Sequence, residues 1–335
     1  MMSSTVAYVA AVPISVIVAL GLLRKWRSRK WATCVSNTCL RGKTFLITGA
    51  NCGIGYETAK TIVRRKGRVI FACRDIGKAK EAIAKIRKEQ PNGGEMIPMQ
   101  LDLASFESIE KFVDIVKAGF HKIDVLINNA GVVVPLKEDL RTKEGFEIHF
   151  GVNHLGHFYL TNLLLDLLKR ATPSRIVVVS STLHERGNID FDDLNLKHLV
   201  KIAKEKRDSP RHNHGYCNSK LMNAYFAKAL AANLRNTGID VNLVCPGFCA
   251  TNLFRHSLKW YHYLFMGPIL LAFMKTARQG SETVVFCATD HSIEGKTGKF
   301  YRECEEYYSS HNFDKDVEAK LWNVSEELVK ARKPL

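Results

Sequence analysis

A tyrosine and a lysine four residues apart, Tyr216 and Lys220, are the pair in this sequence best suited to moving a proton. On a helix that spacing puts both side chains on one face. An unperturbed tyrosine titrates at about 10, too high for a good base at neutral pH. A nearby ammonium favours the tyrosinate and brings the group toward working pH. Ser181 closes a serine pair behind the apolar run Arg175–Ser180, where a hydroxyl can bond a substrate oxygen on which charge develops. Asn153 is a further polar candidate. Each residue alone also suits an ordinary structural role. A tyrosine and a lysine at this spacing are commonly packing and surface residues, a serine pair ends a strand, and an asparagine buttresses a helix.

A second constellation is Thr48-Gly-Ala-Asn-Cys-Gly-Ile-Gly55. Gly49, Gly53 and Gly55 let a backbone turn tightly and approach a pyrophosphate, which then rests on a helix N-terminus. Asn51, Cys52 and Ile54 complete the loop. The next apolar run ends at Cys73-Arg74-Asp75. An NAD site usually carries an acidic residue there for the ribose 2′-hydroxyl. Here the position holds Cys73, and the guanidinium of Arg74 can grip a 2′-phosphate, so NADP(H) is favoured.

These residues need elements to position them. Strand-like runs fall at Lys43–Thr48, Arg68–Cys73, Met96–Leu101, Asp124–Asn128, Arg175–Ser180 and Ile239–Val244, with a seventh near Lys299–Tyr301. Helix-like stretches lie between them, near Gly55–Arg65, Ile76–Glu89, Ser105–Lys117, Gly145–Lys169 and Tyr216–Arg235. The alternation implies right-handed βαβ crossovers and a parallel sheet covered on both faces. The expectation is an α/β fold: one doubly wound Rossmann-type domain with about seven strands, over residues 40–322, with a tail at 323–335.

With the motifs assembled in this order, the sequence resembles the short-chain dehydrogenase/reductase superfamily. Its glycine motif looks like Thr48–Gly55, and its Asn-Asn-Ala-Gly appears at Asn128–Gly131, which adds Asn129, Ala130 and Gly131 to the cofactor set. The family's catalytic asparagine matches Asn153, its serine Ser181, and its Tyr-x-x-x-Lys motif Tyr216 and Lys220. Pro246-Gly247 matches its motif after the sixth strand, with Thr251 against the nicotinamide amide and Asp102 and Leu103 beside the adenine. The resemblance implies that Lys220 also holds the nicotinamide ribose, and that Asn153 holds a water linking Lys220 to solvent. Within the superfamily, the chain is similar to the membrane-bound retinol dehydrogenases that prefer NADP(H). Ala72–Asp75, Phe150–Phe158 and Pro173–Ser181 carry that likeness. One departure is the interval of 35 residues from Ser181 to Tyr216, whose excess lies in the basic stretch Lys197–His214.

The N-terminus agrees with that branch. Residues 1–23 carry no charge, Val6–Leu23 is an apolar run of 18, and Arg24–Lys30 holds five positive charges. The run is just long enough to span a bilayer, and charge placed after it argues against a cleaved signal peptide. The expectation is a membrane anchor over residues 1–30 with the catalytic domain facing the cytosol. Trp26 and Trp31 suit the interface, while Pro13 leaves a shallow, non-spanning insertion open. The endoplasmic reticulum is the expected membrane, with lipid droplet and mitochondrion as alternatives. The apolar, aromatic segment Leu253–Met274 follows the cofactor loop where the family places a lid. It suits a lipophilic alcohol, with Lys259 and Lys275 as candidates to meet headgroups.

The net charge of +16 is compatible with lipid or phosphate ligands, and no nucleic-acid motif accompanies it. Nine cysteines include no C-x-x-C pair. Bridging of Cys34 to Cys39 is open, though reduced thiols are expected. His154, His157, His212 and His214 are completed by no cysteine or carboxylate spacing, so no metal is expected. A homodimer is left open. Three functions compete: a retinoid oxidoreductase, a carbonyl reductase for steroids, other lipid aldehydes or xenobiotics, and a non-catalytic lipid-surface protein. The last has no need of Asn153, Ser181, Tyr216 and Lys220.

Overall fold

The computed structural model of the protein describes residues 18–29, 31–205, 213–250 and 273–334. Short apolar runs form the strands β1 (Thr44–Thr48), β2 (Arg68–Cys73), β3 (Met96–Gln100), β4 (Val125–Asn128), β5 (Ser174–Val179) and β6 (Ile239–Val244). Every residue of β1 and β4 is buried, as strands covered on both faces require. From one edge the sheet reads β3-β2-β1-β4-β5-β6-β9-β10, with β9 at Phe300–Arg302 and β10 at Glu305–Glu306. All neighbours are parallel except the terminal β9–β10 hairpin. The order reverses between β1 and β4, so a crevice opens at their carboxyl ends. A separate two-residue ladder pairs β7 (Cys249–Ala250) with β8 (Lys275–Thr276).

Strand alternation feeds two cores. Leu46 and Ile70 point into one, against α3 (Phe106–Gly119), α4 (Gly156–Lys169) and α6 (His214–Asn233). Phe45, Ile47, Val69 and Phe71 point into the other, against α1 (Gly53–Arg64), α2 (Ile76–Glu89) and α7 (Ala277–Thr289). The period-two rule of strands accounts for the split. Helix α5 (Lys197–Glu205) lies within the basic stretch and adds Val200 and Ala203 to a small satellite core with Leu136 and Leu196.

Three expectations need correction. The stretch Gly145–Lys169 is not one helix. Gly145 sits in a turn at φ 90°, and a π-helical segment at Phe150–Leu155 precedes α4. The boundary at residue 322 falls inside α8 (Lys315–Ala331), whose Leu321, Leu328 and Val329 are core residues packed with α6, so 323–331 is not a tail. The helix that carries Tyr216 and Lys220 starts at His214 rather than at Tyr216, capped by Asn213.

Most of the expected anchor lies outside the described residues, and among the described residues no helix is long and apolar enough to cross a membrane. Residues 18–28 are helical and run into the basic segment. Part of that segment folds onto the domain. Arg24 donates to the Met274 carbonyl (3.1 Å), and the Arg27 guanidinium sits 4.7 Å above the Phe273 ring. Lys275 does not reach for headgroups: it is buried and paired with Glu303 at 2.5 Å. The other oxygen of Glu303 accepts the Ala32 amide (3.1 Å), and the Cys34 amide donates to Glu282 (3.0 Å). Cys34 and Cys39 are free thiols.

Candidate active site

The parallel strands deliver the candidate residues to one edge of the sheet. After β1 the chain turns through Gly49 (φ 67°) and Gly53 (φ 58°) into α1. A side chain at Gly55 would collide with the Gly49 carbonyl and come within 2.5 Å of the Asn129 amide. One at Gly49 would meet Ala130 at 3.2 Å. Asn129 holds the turn from beside it, its Nδ2 donating to the Thr48 carbonyl (2.9 Å). Asn51 and Ile54 are half-buried on the turn. Cys52 is the N-cap of α1 in extended conformation and makes no side-chain cap bond, and the first turn holds no acidic residue. The leading amides of α1 are thus not served by the cap side chain, and they face the region where an anion would sit.

Cys73 is buried at the end of β2, where its thiol is pushed up to about 11 by burial and eased by the Ala50 and Asn51 amides. It presents no negative charge. Arg74 next to it is exposed, while Asp75 turns away to cap α2 by accepting the Lys78 amide (3.0 Å). Asp102 lies just past β3, its Oδ1 accepting the Ala104 amide (3.0 Å), with Leu103 buried after it. Pro246 is buried past β6, and Gly247 adopts φ 85° against the Lys275 side chain. Thr251, His212 and most of the segment Leu253–Met274 lie outside the described residues.

The four catalytic candidates meet behind β4 and β5. Asn153, in the π-helical segment, accepts the Val132 amide at Oδ1 (2.8 Å). Its Nδ2 donates to the Val132 carbonyl (3.1 Å) and to Ser219 Oγ (3.0 Å). Ser219 in turn donates to the Tyr216 carbonyl (2.8 Å). Lys220 Nζ donates to the Val179 carbonyl (2.9 Å) and stands 5.7 Å from the centre of the Tyr216 ring. A Cβ at Gly131 would point at Lys220 Nζ (3.7 Å) and Asn153 Oδ1 (3.4 Å), so this glycine leaves open the space between phosphate turn and lysine. Ser181 is half-buried, and its Oγ accepts the Leu183 amide (3.2 Å).

Burial governs the charges. It raises the Tyr216 hydroxyl well above the ordinary tyrosine range, and a hydrogen bond with Ser181 draws it partly back. It lowers Lys220 to about 8. The depression expected from Lys220 together with an oxidised nicotinamide belongs to the cofactor-bound site; in the protein alone desolvation is the largest effect on Tyr216 and raises it.

Sequence reasoning misses the link between the two halves, where His157 stands out only as an incomplete metal ligand. Its Nδ1 meets the Asn153 carbonyl (3.0 Å), which can only accept, so that nitrogen carries the proton. Nε2 then accepts from the Thr48 hydroxyl (2.9 Å), while Thr48 Oγ1 accepts the Asn129 and Ala130 amides, each at 2.9 Å. The position four residues beyond Asn153 is the available signal, since it puts both on one face of a helix. His154 is occupied separately by Ser325 (2.9 Å).

The arrangement fits a dinucleotide: glycines where a Cβ would fill the cradle, a helix N-terminus without a side-chain cap, and a lysine across Gly131. A family model described as short chain dehydrogenase matches residues 43–191 and 205–262. Human retinol dehydrogenase 14 is 41% identical over 308 residues, covering 87% of either chain. Human retinol dehydrogenase 12 is 39% identical over 334 residues, 94% of this chain and 99% of its own. A solved but uncharacterised protein from Mycobacterium paratuberculosis superposes with a TM-score of 0.67 at 32% identity, over 90% of this chain and 99% of that one. A short chain dehydrogenase from Escherichia coli, solved with NADPH, shares the fold at a TM-score of 0.59 and 21% identity, over 80% of this chain and 99% of its own. The chain belongs to the short chain dehydrogenase family, in the branch it forms with these retinol dehydrogenases.

Proposed function

We propose that the protein is an NADP(H)-dependent oxidoreductase that interconverts a lipophilic alcohol and its carbonyl, with retinol and retinaldehyde as the pair. The observation that carries the reaction type is the convergence of Asn153 and Lys220 beside Gly131 with Tyr216, next to Lys220 and hydrogen-bonded to Ser181. The retinoid assignment is supported by relatives named retinol dehydrogenases at about 40% identity. The cofactor preference is supported by Arg74, exposed beside a neutral Cys73.

NADP(H), when bound, supplies the hydride chemistry. The Gly49–Gly55 turn and the α1 N-terminus bind its pyrophosphate, Arg74 its 2′-phosphate, and Lys220 the ribose on the nicotinamide side. Ser181 Oγ donates to the substrate oxygen and orients it toward Tyr216. In reduction, Tyr216 gives its proton to the developing alkoxide. Its raised affinity for that proton keeps it loaded at neutral pH. In oxidation Tyr216 first loses its own proton to solvent, and the tyrosinate, stabilised by the Lys220 ammonium, then takes the hydroxyl proton of the substrate. Asn153 fixes Val132 and Ser219 around this centre, and the second lone pair of its Oδ1 is left to accept from the water that links Lys220 to solvent.

We read residues 1–23 as an anchor in the endoplasmic reticulum membrane with the domain on the cytosolic side, supported by their lack of charge and by the basic run that follows. The test of function is a panel of retinaldehyde, steroid ketones and other lipid aldehydes, with NADPH and NADH, on wild-type and Tyr216→Phe protein. Turnover of retinaldehyde with NADPH is expected. Tyr216→Phe should lose turnover by about 10²-fold or more while still binding NADPH. Unchanged turnover in that variant would sink the mechanism, and turnover of steroid ketones alone would replace the substrate.

A further inference from the structure

The extended segment after β4 is held by side chains in a regular way. At Val132 both backbone polar groups are bound by Asn153. Two residues on, the Val134 amide donates to His149 Nε2 (3.0 Å) and its carbonyl accepts from Asn213 Nδ2 (2.6 Å). An amide can only donate, so Nε2 of His149 is the lone-pair nitrogen and Nδ1 carries the proton. That proton goes to Glu147 Oε1 (2.6 Å). The other carboxylate oxygen accepts the amides of His149 (3.0 Å) and Phe150 (2.9 Å), and so fixes the entry into the π-helical segment. Asn213 completes the chain: its Oδ1 accepts the Tyr216 amide (3.1 Å), capping the catalytic helix.

This pair is deeply buried, with His149 at 0% and Glu147 at 3% exposure. It also touches the helix it serves. A Cβ at Gly215 would come within 2.7 Å of His149 Nδ1 and 3.2 Å of Glu147 Oε1, so the first turn of α6 rests on the imidazole–carboxylate pair. Burying a carboxylate is costly unless its bonds are all made, and here they fix one imidazole tautomer.

We propose that Glu147 and His149 are positioning residues: through Val134 and Asn213 they set the N-terminus of α6, and with it the placement of Tyr216. The proposal rests on Tyr216 acting as acid and base. A displacement of about 1 Å in a reacting group costs about 10²-fold in rate, so the network matters to kcat more than to cofactor affinity.

The experiment compares His149→Leu, His149→Gln, Asn213→Ser and Tyr216→Phe in the full-length protein. The readouts are kcat and KM for the carbonyl that the wild type reduces best, and NADPH affinity from the cofactor's fluorescence. His149→Leu is expected to lower kcat by about 10- to 100-fold per NADPH-binding site, with cofactor affinity unchanged. His149→Gln, which keeps an acceptor for the Val134 amide, should recover most of the loss. Asn213→Ser keeps a cap oxygen for Tyr216 but drops the bond to Val134. It should reproduce the kcat defect, and it serves where His149→Leu fails to fold. Wild-type kcat in either variant, beside an inactive Tyr216→Phe, overturns the positioning role alone. Turnover retained by Tyr216→Phe overturns the acid–base reading and this proposal together.

Discussion

Burial acts on Tyr216 and Lys220 in opposite chemical directions. It favours the protonated phenol and the neutral amine, raising one group and bringing the other down to about 8. A phenol that keeps its proton is the form that donates in carbonyl reduction. Arg74 belongs to the same scale. Exposed one residue past β2, it is the residue on which the proposed preference between two cofactors rests. Replacing it by alanine should weaken NADPH by about 10- to 100-fold, the worth of a charge-assisted bond of about 1.5–3 kcal/mol, and leave NADH nearly unchanged. Titration of both cofactors into Arg74→Ala checks this, and equal losses would remove the 2′-phosphate role.

Among the elements, the β1–α1 turn is the least tolerant of change. Gly55→Ala drives a methyl into the Gly49 carbonyl and the Asn129 amide, so turn and helix must separate. Overpacking of this kind costs about 1–3 kcal/mol and here opens the cradle itself. NADPH affinity should fall by more than about tenfold while the protein remains folded by circular dichroism. Wild-type affinity would show that the glycine is not needed there. That turn is legible in the sequence, as are the seven parallel strands of the main sheet among the described residues, because short apolar runs bounded by turn residues and separated by amphipathic stretches pack well only as covered strands. The last helix is not. Its buried stripe includes Glu318 and Ser325 beside Leu321 and Leu328, and polar members blur the helical period. The π-helical segment is also invisible, and the partners that hold Asn153 within it, Val132 and Ser219, are distant in sequence. The Asn213 cap, by contrast, stands in plain view three residues before Tyr216 and extends the helix by two residues.

For the molecule as a whole, two buried histidines make stability depend on pH. Burial holds His154 at about 3 and His157 at about 4, and the unfolded chain protonates both at about 6.5. Between those values the unfolded state binds more protons, so stability present above about pH 6.5 is lost as pH falls toward 4. Together they should remove about 2–3 kcal/mol between about pH 7 and about pH 5.5. Urea midpoints at the two values measure it, and the slope should shrink in His157→Gln. A midpoint indifferent to pH would contradict the buried neutral imidazoles.

The contacts made by residues 24–34 act at this scale too. Arg24 on Met274, Arg27 over Phe273, and the Ala32 and Cys34 amides on Glu303 and Glu282 take up the slack between the N-terminal helix and the domain. A slack linker would let the domain swivel freely about its point of attachment. This stretch is a strut, braced at several points on both sides of the Lys275–Glu303 pair and close to the cofactor loop at Gly247. Under the anchored reading proposed above, these contacts would aim the edge of the sheet that carries Tyr216 and Lys220, so that the direction in which the site opens would be set by the chain itself rather than by chance rotation.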